Sequence, residues 1–289
     1  MHVGFIGLGA MGAPMARNLH RAGLLHGLWN RTSAKATALA AELGCMAATT
    51  PAQLALECEL LVICVSADAD VRSIVGELAP VARRGQILID CSTVSADTAR
   101  YSAALLAPPG VEVLDCPISG GVEGATKGSL AIMVGGDAAT LTRALPVLQA
   151  MGGTITHFGP HGSGQVAKAA NQIVCAGVNR ANAEALAFAK SQGLDLEKVI
   201  ATLGRGAAAN WYLQNRGPNM ASGHYPAGFR VRLHQKDLLI CRAMAAAAGA
   251  ALPVVEETLE DYAQLIRDGY ADEDISALFR LKSKLFRTD

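Results

Sequence analysis

The chain has 289 residues, of which 51% are hydrophobic, so it can bury a large core and we expect two domains. Its 25 basic and 25 acidic residues cancel, which argues against binding of nucleic acid or an anionic membrane through bulk charge. Its seven cysteines form no C-x-x-C pair, its seven histidines show no paired helical spacing for a metal, and no apolar run is long enough to span a membrane. We therefore expect an untargeted cytoplasmic protein without a metal site.

The first motif follows a short apolar run at residues 2–6. It is a glycine-rich turn that opens a helical pattern ending near Gly23. Glycines between a strand and a helix let the backbone approach a pyrophosphate, and the helix N-terminus supplies N–H donors. An ordinary glycine-rich turn is the alternative, but the flanking strand and helix favour a dinucleotide site. The predicted cofactor contacts in this turn are Gly7, Leu8, Gly9, Ala10, Met11 and Gly12.

The second predicted strand, residues 25–29, is followed by Asn30, Arg31 and Thr32. NAD-binding proteins often carry a carboxylate here, which accepts hydrogen bonds from the adenine ribose. A guanidinium takes its place in this chain and could pair with a 2′-phosphate. We therefore predict that these three residues contact the cofactor and that NADP is preferred over NAD. The alternative is that Arg31 lies on a solvated turn and that either cofactor binds.

Strand and helix patterns alternate along the rest of the first half, which predicts a doubly wound, Rossmann-type α/β sheet. In such a sheet ligands bind at the carboxyl ends of the strands. Val65, Ser66 and Thr93 lie at two of these ends and are predicted to contact the cofactor, although either segment could be an ordinary capping turn. The further predicted strands are residues 60–65, 87–90, 111–114, 130–134 and 154–158, and the predicted helices are 34–43, 71–81, 96–106 and 138–151.

Another turn offers a place for an anionic substrate group. Ser119, Gly120 and Gly121 follow a predicted strand, and two glycines after a serine expose successive backbone N–H groups. Such N–H groups suit a carboxylate or phosphate oxygen, with the Ser119 hydroxyl as a further donor. A simple tight turn is the competing interpretation.

A long helix is predicted within residues 162–192, after a second glycine-rich turn. It brings Lys168 within one turn of Asn171 and Gln172, a cluster that could form a polar site near the domain junction. A solvated helix lysine is the alternative for Lys168. We place a nucleotide-binding domain at residues 1–161 and an all-helical domain at 162–289, with further predicted helices at 196–203, 211–220, 233–248, 253–268 and 276–286.

Five motifs in order resemble the β-hydroxyacid dehydrogenase family over nearly the whole chain. This family includes 3-hydroxyisobutyrate dehydrogenase, tartronate semialdehyde reductase and glyoxylate/succinic semialdehyde reductases. The stretches after Lys168 and around Lys236 look most like tartronate semialdehyde reductase. The five motifs are GFIGLGAMGAPMARNL, DCPISGG, GSLAIMVGG, GSGQVAKAANQ, and Gly228-Phe229-Arg230 followed by Lys236-Asp237-Leu238.

The resemblance implies an NAD(P)-dependent oxidoreductase that interconverts a short 3-hydroxyacid and its semialdehyde. Lys168 would be the general acid/base, and Thr93 and Lys236 would lie near the nicotinamide. The resemblance also implies a homodimer or homotetramer built on the helical domain. The implied substrate contacts are Ser119, Gly120 and Gly121 for the carboxylate, and either Asn171 or Gln172 beside the lysine.

Two large aromatic residues leave the substrate open. Trp211 and Tyr212 stand where tartronate semialdehyde reductases have smaller residues, and they either line the pocket or pack in the core. 3-Hydroxyisobutyrate and glyoxylate or succinic semialdehyde therefore stay as alternative substrates. An imine reductase and a non-catalytic dinucleotide-binding module are alternatives of other kinds, and Lys168 argues against both.

Overall fold

A computed structural model describes residues 1–286 of the chain. The chain divides into two compact units, residues 1–168 and the residues from Ala169 onward. The division falls inside one continuous helix of 29 residues, Ser163–Ser191. The predicted long linking helix is therefore present, and it supplies residues to both units.

The first unit alternates strands with helices, as the sequence pattern predicts. Its strands are β1 (Val3–Ile6), β2 (Leu25–Trp29), β3 (Met46–Ala47), β4 (Leu60–Ile63), β5 (Ile87–Asp90), β6 (Glu112–Asp115), β7 (Ile118–Ser119), β8 (Leu130–Gly136) and β9 (Gly152–Gly159). Its helices are α1 (Gly12–Arg21), α2 (Ser33–Leu43), α3 (Pro51–Glu57), α4 (Asp68–Leu78), α5 (Ala96–Leu106), α6 (Gly121–Lys127), α7 (Ala138–Met151) and the start of α8 (Ser163–Ser191).

These strands form one nine-stranded sheet within residues 1–168, in the order β3-β2-β1-β4-β5-β6-β8-β7, with β9 paired to β8. Strands β1 to β6 pair in parallel, whereas β8 runs antiparallel to β6 and β7. The chain leaves β1 in one direction along the sheet and returns to its other side at β4. This reversal creates a crevice at the carboxyl ends of the strands, which is where α/β sheets bind ligands.

Strand β4 explains why the sequence shows a continuous apolar run there. Leu60 and Val62 belong to the hydrophobic cluster on one face of the sheet, while Leu61 and Ile63 belong to the cluster on the other face. Because successive strand side chains point to opposite faces, a strand covered on both faces must be apolar at every position. The predicted Rossmann-type sheet is confirmed.

The second unit is helical over its described residues and has its own core. Tyr262 is fully buried in it, together with Leu238 and Leu186. The helices after α8 are α9 (Leu196–Leu203), α10 (Trp211–Ser222), α11 (Val231–Ala247), α12 (Pro253–Arg267) and the short α13 (Phe279–Lys282).

A buried ion pair accounts for the Gly228-Phe229 motif. Arg216 lies 3.3 Å from the Asp274 carboxylate, which also accepts a hydrogen bond from the Phe229 N–H at 2.9 Å. A Cβ atom on Gly228 would collide with the Arg216 guanidinium. Glycine at this position leaves room for the Arg216 side chain where the backbone passes the pair.

The prediction of one helix over residues 276–286 was wrong. That segment is a 3₁₀ helix at Ile275–Leu278, then α13, then a second 3₁₀ helix at Ser283–Phe286. Asp274 caps the first of these by accepting from Ser276 N at 3.0 Å. The helix predicted at residues 71–81 begins earlier, at Asp68, and ends at Leu78.

Candidate active site

In the glycine turn after β1, two glycines avoid clashes within the chain itself, and a third does not. A Cβ atom on Gly12 would collide with the Gly7 carbonyl, and one on Gly7 would collide with the Cys64 carbonyl. At Gly9, a Cβ atom would meet no described heavy atom within 4 Å. Close approach of a pyrophosphate is the standard reason for a glycine at that place in a dinucleotide fold, so the turn fits the predicted cofactor.

After β2, Asn30 makes a structural hydrogen bond, whereas Arg31 is an exposed charged residue. Asn30 Oδ1 accepts a hydrogen bond from Leu8 N at 2.8 Å, so this side chain holds the glycine turn against the end of β2. The Arg31 side chain is 82% exposed, and its Nη1 lies 2.8 Å from Asp70 Oδ1 on α4. Thr32 lies at the N-cap of α2 without a side-chain capping bond in the described structure.

The ends of β4 and β5 are tied to one another. Val65 N donates to Ser92 Oγ at 3.0 Å, and Ser92 N donates to Asp90 Oδ1 at 2.9 Å. Ser66 is exposed and Thr93 is half-buried. Both segments follow neighbouring parallel strands, so these residues lie along the same edge of the sheet as the glycine turn.

The turn at Ser119–Gly121 has the backbone that the sequence suggests. Gly120 and Gly121 have φ values of +134° and +65°, which side chains other than that of glycine seldom tolerate. Ser119 ends β7 and is half-buried, and α6 begins at Gly121. Consecutive N–H groups at such a turn can face one anionic group.

Lys168 is buried in the second turn of α8, with 7% of its surface exposed. It is therefore not the solvated helix lysine that was the alternative. Lysines are seldom buried, because removing an ammonium from water is costly unless other groups compensate. A buried lysine on this helix is a candidate for proton transfer.

The second unit contains a chain of polar side chains that begins on α8. Asn171 Nδ2 donates to Gln172 Oε1 at 2.8 Å, and Gln172 Nε2 donates to Asp237 Oδ2 at 2.6 Å. The other Asp237 oxygen lies 2.9 Å from Lys236 Nζ. Gln172 is 1% exposed and both ends of its amide are engaged. The structure thus joins the predicted residues Gln172 and Lys236 through Asp237, and Asn171 through Gln172. The sequence singles out Asp237 only as part of a motif.

The two aromatic residues at the start of α10 differ in their surroundings. Tyr212 packs against the helical core, and burial raises the pKa of its hydroxyl. Trp211 is 45% exposed and packs edge to face on Tyr212, with the Arg216 guanidinium 4.9 Å from its ring centre. Core packing is thus the observed role of Tyr212 but not of Trp211.

Two negative findings concern residues 1–286. In that range no three histidine, cysteine or acidic side chains are grouped as a metal site would need. Nor does any helix there have both the length and the apolar character needed to cross a membrane.

Comparison with known proteins identifies the family. Residues 2–159 match the NAD binding domain of 6-phosphogluconate dehydrogenase, and residues 162–282 match the NAD-binding region of NADP-dependent 3-hydroxyisobutyrate dehydrogenase. The chain belongs to the β-hydroxyacid dehydrogenase family. It is therefore an oxidoreductase that uses a nicotinamide dinucleotide, and the predicted family is confirmed.

Individual dehydrogenases of this family are similar over nearly their full length. The 3-hydroxyisobutyrate dehydrogenase of Pseudomonas aeruginosa is 39% identical over 87% of this chain and 88% of its own. The NAD-dependent L-serine dehydrogenase of the same organism is 35% identical over 96% and 97%. The structure of Mycobacterium tuberculosis 3-hydroxyisobutyrate dehydrogenase with L-serine superposes with a TM-score of 0.88, at 34% identity over 97% of this chain and 98% of that one.

Proposed function

We propose that this dehydrogenase interconverts a short 3-hydroxyacid and its semialdehyde, with Lys168 as the general acid/base and with NADP as the preferred cofactor. The observation that carries the proposal is the buried lysine on α8, at 7% exposure. In this proposal residues 1–161 are the NADP-binding domain and residues 162–289 are the helical domain for substrate binding and oligomerisation.

The chemistry needs a proton donor beside a carbonyl oxygen. A bound nicotinamide would supply hydride in the reductive direction and accept it in the oxidative one. As hydride reaches the aldehyde carbon, negative charge develops on the oxygen, and the Lys168 ammonium stabilises and protonates it. In the oxidative direction a neutral Lys168 takes the alcohol proton.

The substrate carboxylate is assigned to the turn at Ser119, Gly120 and Gly121. The positive φ values of both glycines turn successive N–H groups in a way that suits one anion. Binding at a backbone turn fixes the carboxylate, so that the far end of a three- or four-carbon acid is presented to the lysine. Orientation of this kind is a large part of catalysis in two-substrate reactions.

We assign different roles to Asn171 and Gln172. Both ends of the Gln172 amide are held, one by Asn171 and the other by Asp237 at 2.6 Å, and the side chain is 1% exposed. Asn171 is half-buried and sits one turn after Lys168. We therefore infer that Asn171 contacts the substrate and that Gln172 holds Asn171 in place.

The substrates named for the relatives narrow the chemical class. 3-Hydroxyisobutyrate and L-serine both have a carboxylate and a terminal CH₂OH group on one carbon, and they differ in its third substituent, methyl or ammonium. The substrate that we propose first carries a hydroxyl as this third substituent. The enzyme would then be a tartronate semialdehyde reductase. The alternatives are 3-hydroxyisobutyrate, L-serine, and glyoxylate or succinic semialdehyde.

The test of the catalytic proposal compares wild type with Lys168→Ala and with Lys198→Ala, whose lysine side chain is 85% exposed. Reduction of tartronate, methylmalonate and succinic semialdehydes and glyoxylate is followed with NADPH, and oxidation of L-serine with NADP⁺ and NAD⁺. We expect Lys168→Ala to lower kcat by about 10²- to 10⁴-fold while NADPH still binds, because general acid/base catalysis has that magnitude. Lys198→Ala should match wild type.

An unchanged kcat in Lys168→Ala would refute this role for the lysine. Short imines are offered with NADPH in the same assay, and reduction of imines but of no aldehyde would favour an imine reductase. Tight NADPH binding without turnover of any substrate would favour a non-catalytic module.

The NADP preference rests on Arg31, which is exposed and paired with Asp70. Exposed ion pairs contribute little, so the guanidinium can turn to a 2′-phosphate. Arg31→Gln should lower kcat/KM for NADPH by about tenfold to a hundredfold, the equivalent of one charged hydrogen bond, and leave NADH unchanged. Equal loss with both cofactors, or none, would contradict the 2′-phosphate contact.

A further inference from the structure

The N-terminus of α8 is held by a carboxylate from a distant strand. Asp115 ends β6 and is 1% exposed. Its Oδ1 accepts from Gly162 N at 2.8 Å, and its Oδ2 accepts from Gln165 N at 3.1 Å. The first N–H groups of a helix lack intrahelical acceptors, and a carboxylate there also interacts favourably with the helix dipole.

Glycines make room for this carboxylate. A Cβ atom on Gly135 would lie 2.5 Å from Asp115 Oδ1, and one on Gly164 would lie 2.8 Å from Asp115 Oδ2. Both distances are shorter than real contacts allow. Burial raises the pKa of Asp115, and the N–H groups of Gly162 and Gln165 oppose that shift. The glycines of two separate motifs thus serve one buried contact.

Gln165 extends the contact to the segment that carries Thr93. Its side chain is 1% exposed. Its Nε2 donates to Ser92 O at 2.9 Å, and its Oε1 accepts from Val94 N at 3.2 Å. The amide therefore grips the backbone immediately before and immediately after Thr93.

We propose that Asp115 and Gln165 are positioning residues that set Lys168 at a fixed place relative to the Thr93 segment. Lys168 lies three residues after Gln165, on the next turn of α8, so a shift of the first turn moves the lysine with it. Neither residue is assigned a contact with the reacting atoms. The inference rests on the proposed role of Lys168, and it predicts that both residues act on the rate through that lysine.

A double-mutant cycle tests this inference in the full-length enzyme. Gln165→Met keeps the approximate length of the side chain but removes both amide contacts. In an otherwise wild-type enzyme we expect kcat to fall by about tenfold to a hundredfold, since misplacement of about 1 Å costs that much, while the Kd for NADPH changes little. In the Lys168→Ala enzyme, the same change should alter kcat by less than about twofold, because the group that it positions is gone.

Control variants keep the outcome interpretable. Gln149→Met makes the same exchange on the exposed side of α7 and should leave kcat unchanged. If Gln165→Met does not fold, Gln165→Glu and Asp115→Asn enter the same cycle, because they preserve shape and each removes one contact. Thermal unfolding is recorded for every variant.

The outcomes separate the two proposals. An equal loss of kcat from Gln165→Met in both backgrounds, or no loss in either, would overturn the positioning role while leaving that of Lys168 intact. An unchanged kcat in Lys168→Ala alone would refute the proposed role of Lys168, and with it this inference. Loss only when Lys168 is present supports the inference.

Discussion

Two aspartates at neighbouring strand ends are buried to the same degree but are satisfied differently. Asp90 ends β5 and Asp115 ends β6, they are register partners, and each is 1% exposed. Asp115 accepts a backbone N–H at each of its two oxygens. Asp90 accepts from Ser92 N at Oδ1, whereas its Oδ2 has no hydrogen-bond partner among the described residues.

The difference shows in the two carboxyl groups' proton affinities. Burial raises the pKa of Asp90 to about 7, and the neighbouring Asp115 charge adds to that shift. The pKa of Asp115 is also raised by burial, against the opposing effect of its two N–H donors. A buried carboxylate with a donor at each oxygen can stay ionised, while one with an unpartnered oxygen favours the protonated form.

The largest expected effect comes from breaking the better-satisfied site. Asp115→Asn leaves one oxygen for two N–H donors, so either Gly162 or Gln165 loses its acceptor in a buried place. We expect a loss of about 2–3 kcal/mol in the free energy of unfolding, measured by urea denaturation.

Asp137→Asn is the matched control for Asp115→Asn. Asp137 caps α7 through one oxygen, which accepts from Thr140 N at 2.9 Å. Asparagine caps as well as aspartate, so stability should hardly change. Equal stabilities of the two variants would mean that the Asp115 contacts add nothing beyond an ordinary cap.

The next effect concerns the pH dependence of stability at Asp90. Because the folded pKa of about 7 lies above the ordinary aspartate value of 3.8, the folded state holds the proton that the unfolded state releases between these values. The stabilisation is therefore fully present below about pH 4 and is lost as pH rises toward 7. Asp90→Asn should remove about 2–3 kcal/mol of this decline between pH 5 and pH 8. Parallel curves of stability against pH for wild type and variant would contradict a raised pKa of Asp90 in the folded state.

The region around these strand ends shows which features can be predicted from the sequence and which cannot. The apolar run at residues 60–65 predicts a buried strand, and β4 is apolar throughout because both of its faces are covered. The three- and four-residue spacing of apolar residues likewise predicts the long helix α8. The role of Asp115 could not be predicted, since its N–H donors lie 47 and 50 residues later in the chain. The role of Gln165 could not be predicted for the same reason, since its hydrogen-bond partners lie 71 and 73 residues earlier in the chain.

Some elements are too short to be predicted from the pattern of apolar residues. Strands β3 and β7 have two residues each, too few to show a period. The final segment was predicted as one continuous helix because its apolar spacing does not mark the two short 3₁₀ turns at Ile275–Leu278 and Ser283–Phe286. Lys168 could be singled out by type and spacing, but its burial could not.

The smallest effect on stability is expected at a third aspartate on this side of the sheet, which is half-buried and pairs with an exposed arginine. Asp70 lies in the first turn of α4, and its carboxylate pairs with Arg31 at 2.8 Å. Asp70→Asn should change the free energy of unfolding by less than about 1 kcal/mol, as is usual for surface ion pairs. If Arg31 binds the 2′-phosphate, losing the competing carboxylate should lower KM for NADPH by about twofold to fivefold and leave NADH unchanged.

Asp97 provides the control for this last variant, because it lies in the first turn of α5 and pairs with Arg100 at 2.7 Å. Asp97→Asn removes an equivalent pair and should leave both cofactors unaffected. The gain in Asp70→Asn should also shrink at high salt, because salt screens the charge of Arg31, whose side chain is 82% exposed. A higher KM for NADPH in Asp70→Asn would instead mean that the ion pair holds Arg31 in its binding position, so that the half-buried Asp70 carboxylate organises the cofactor site in the way that the buried Asp115 organises α8.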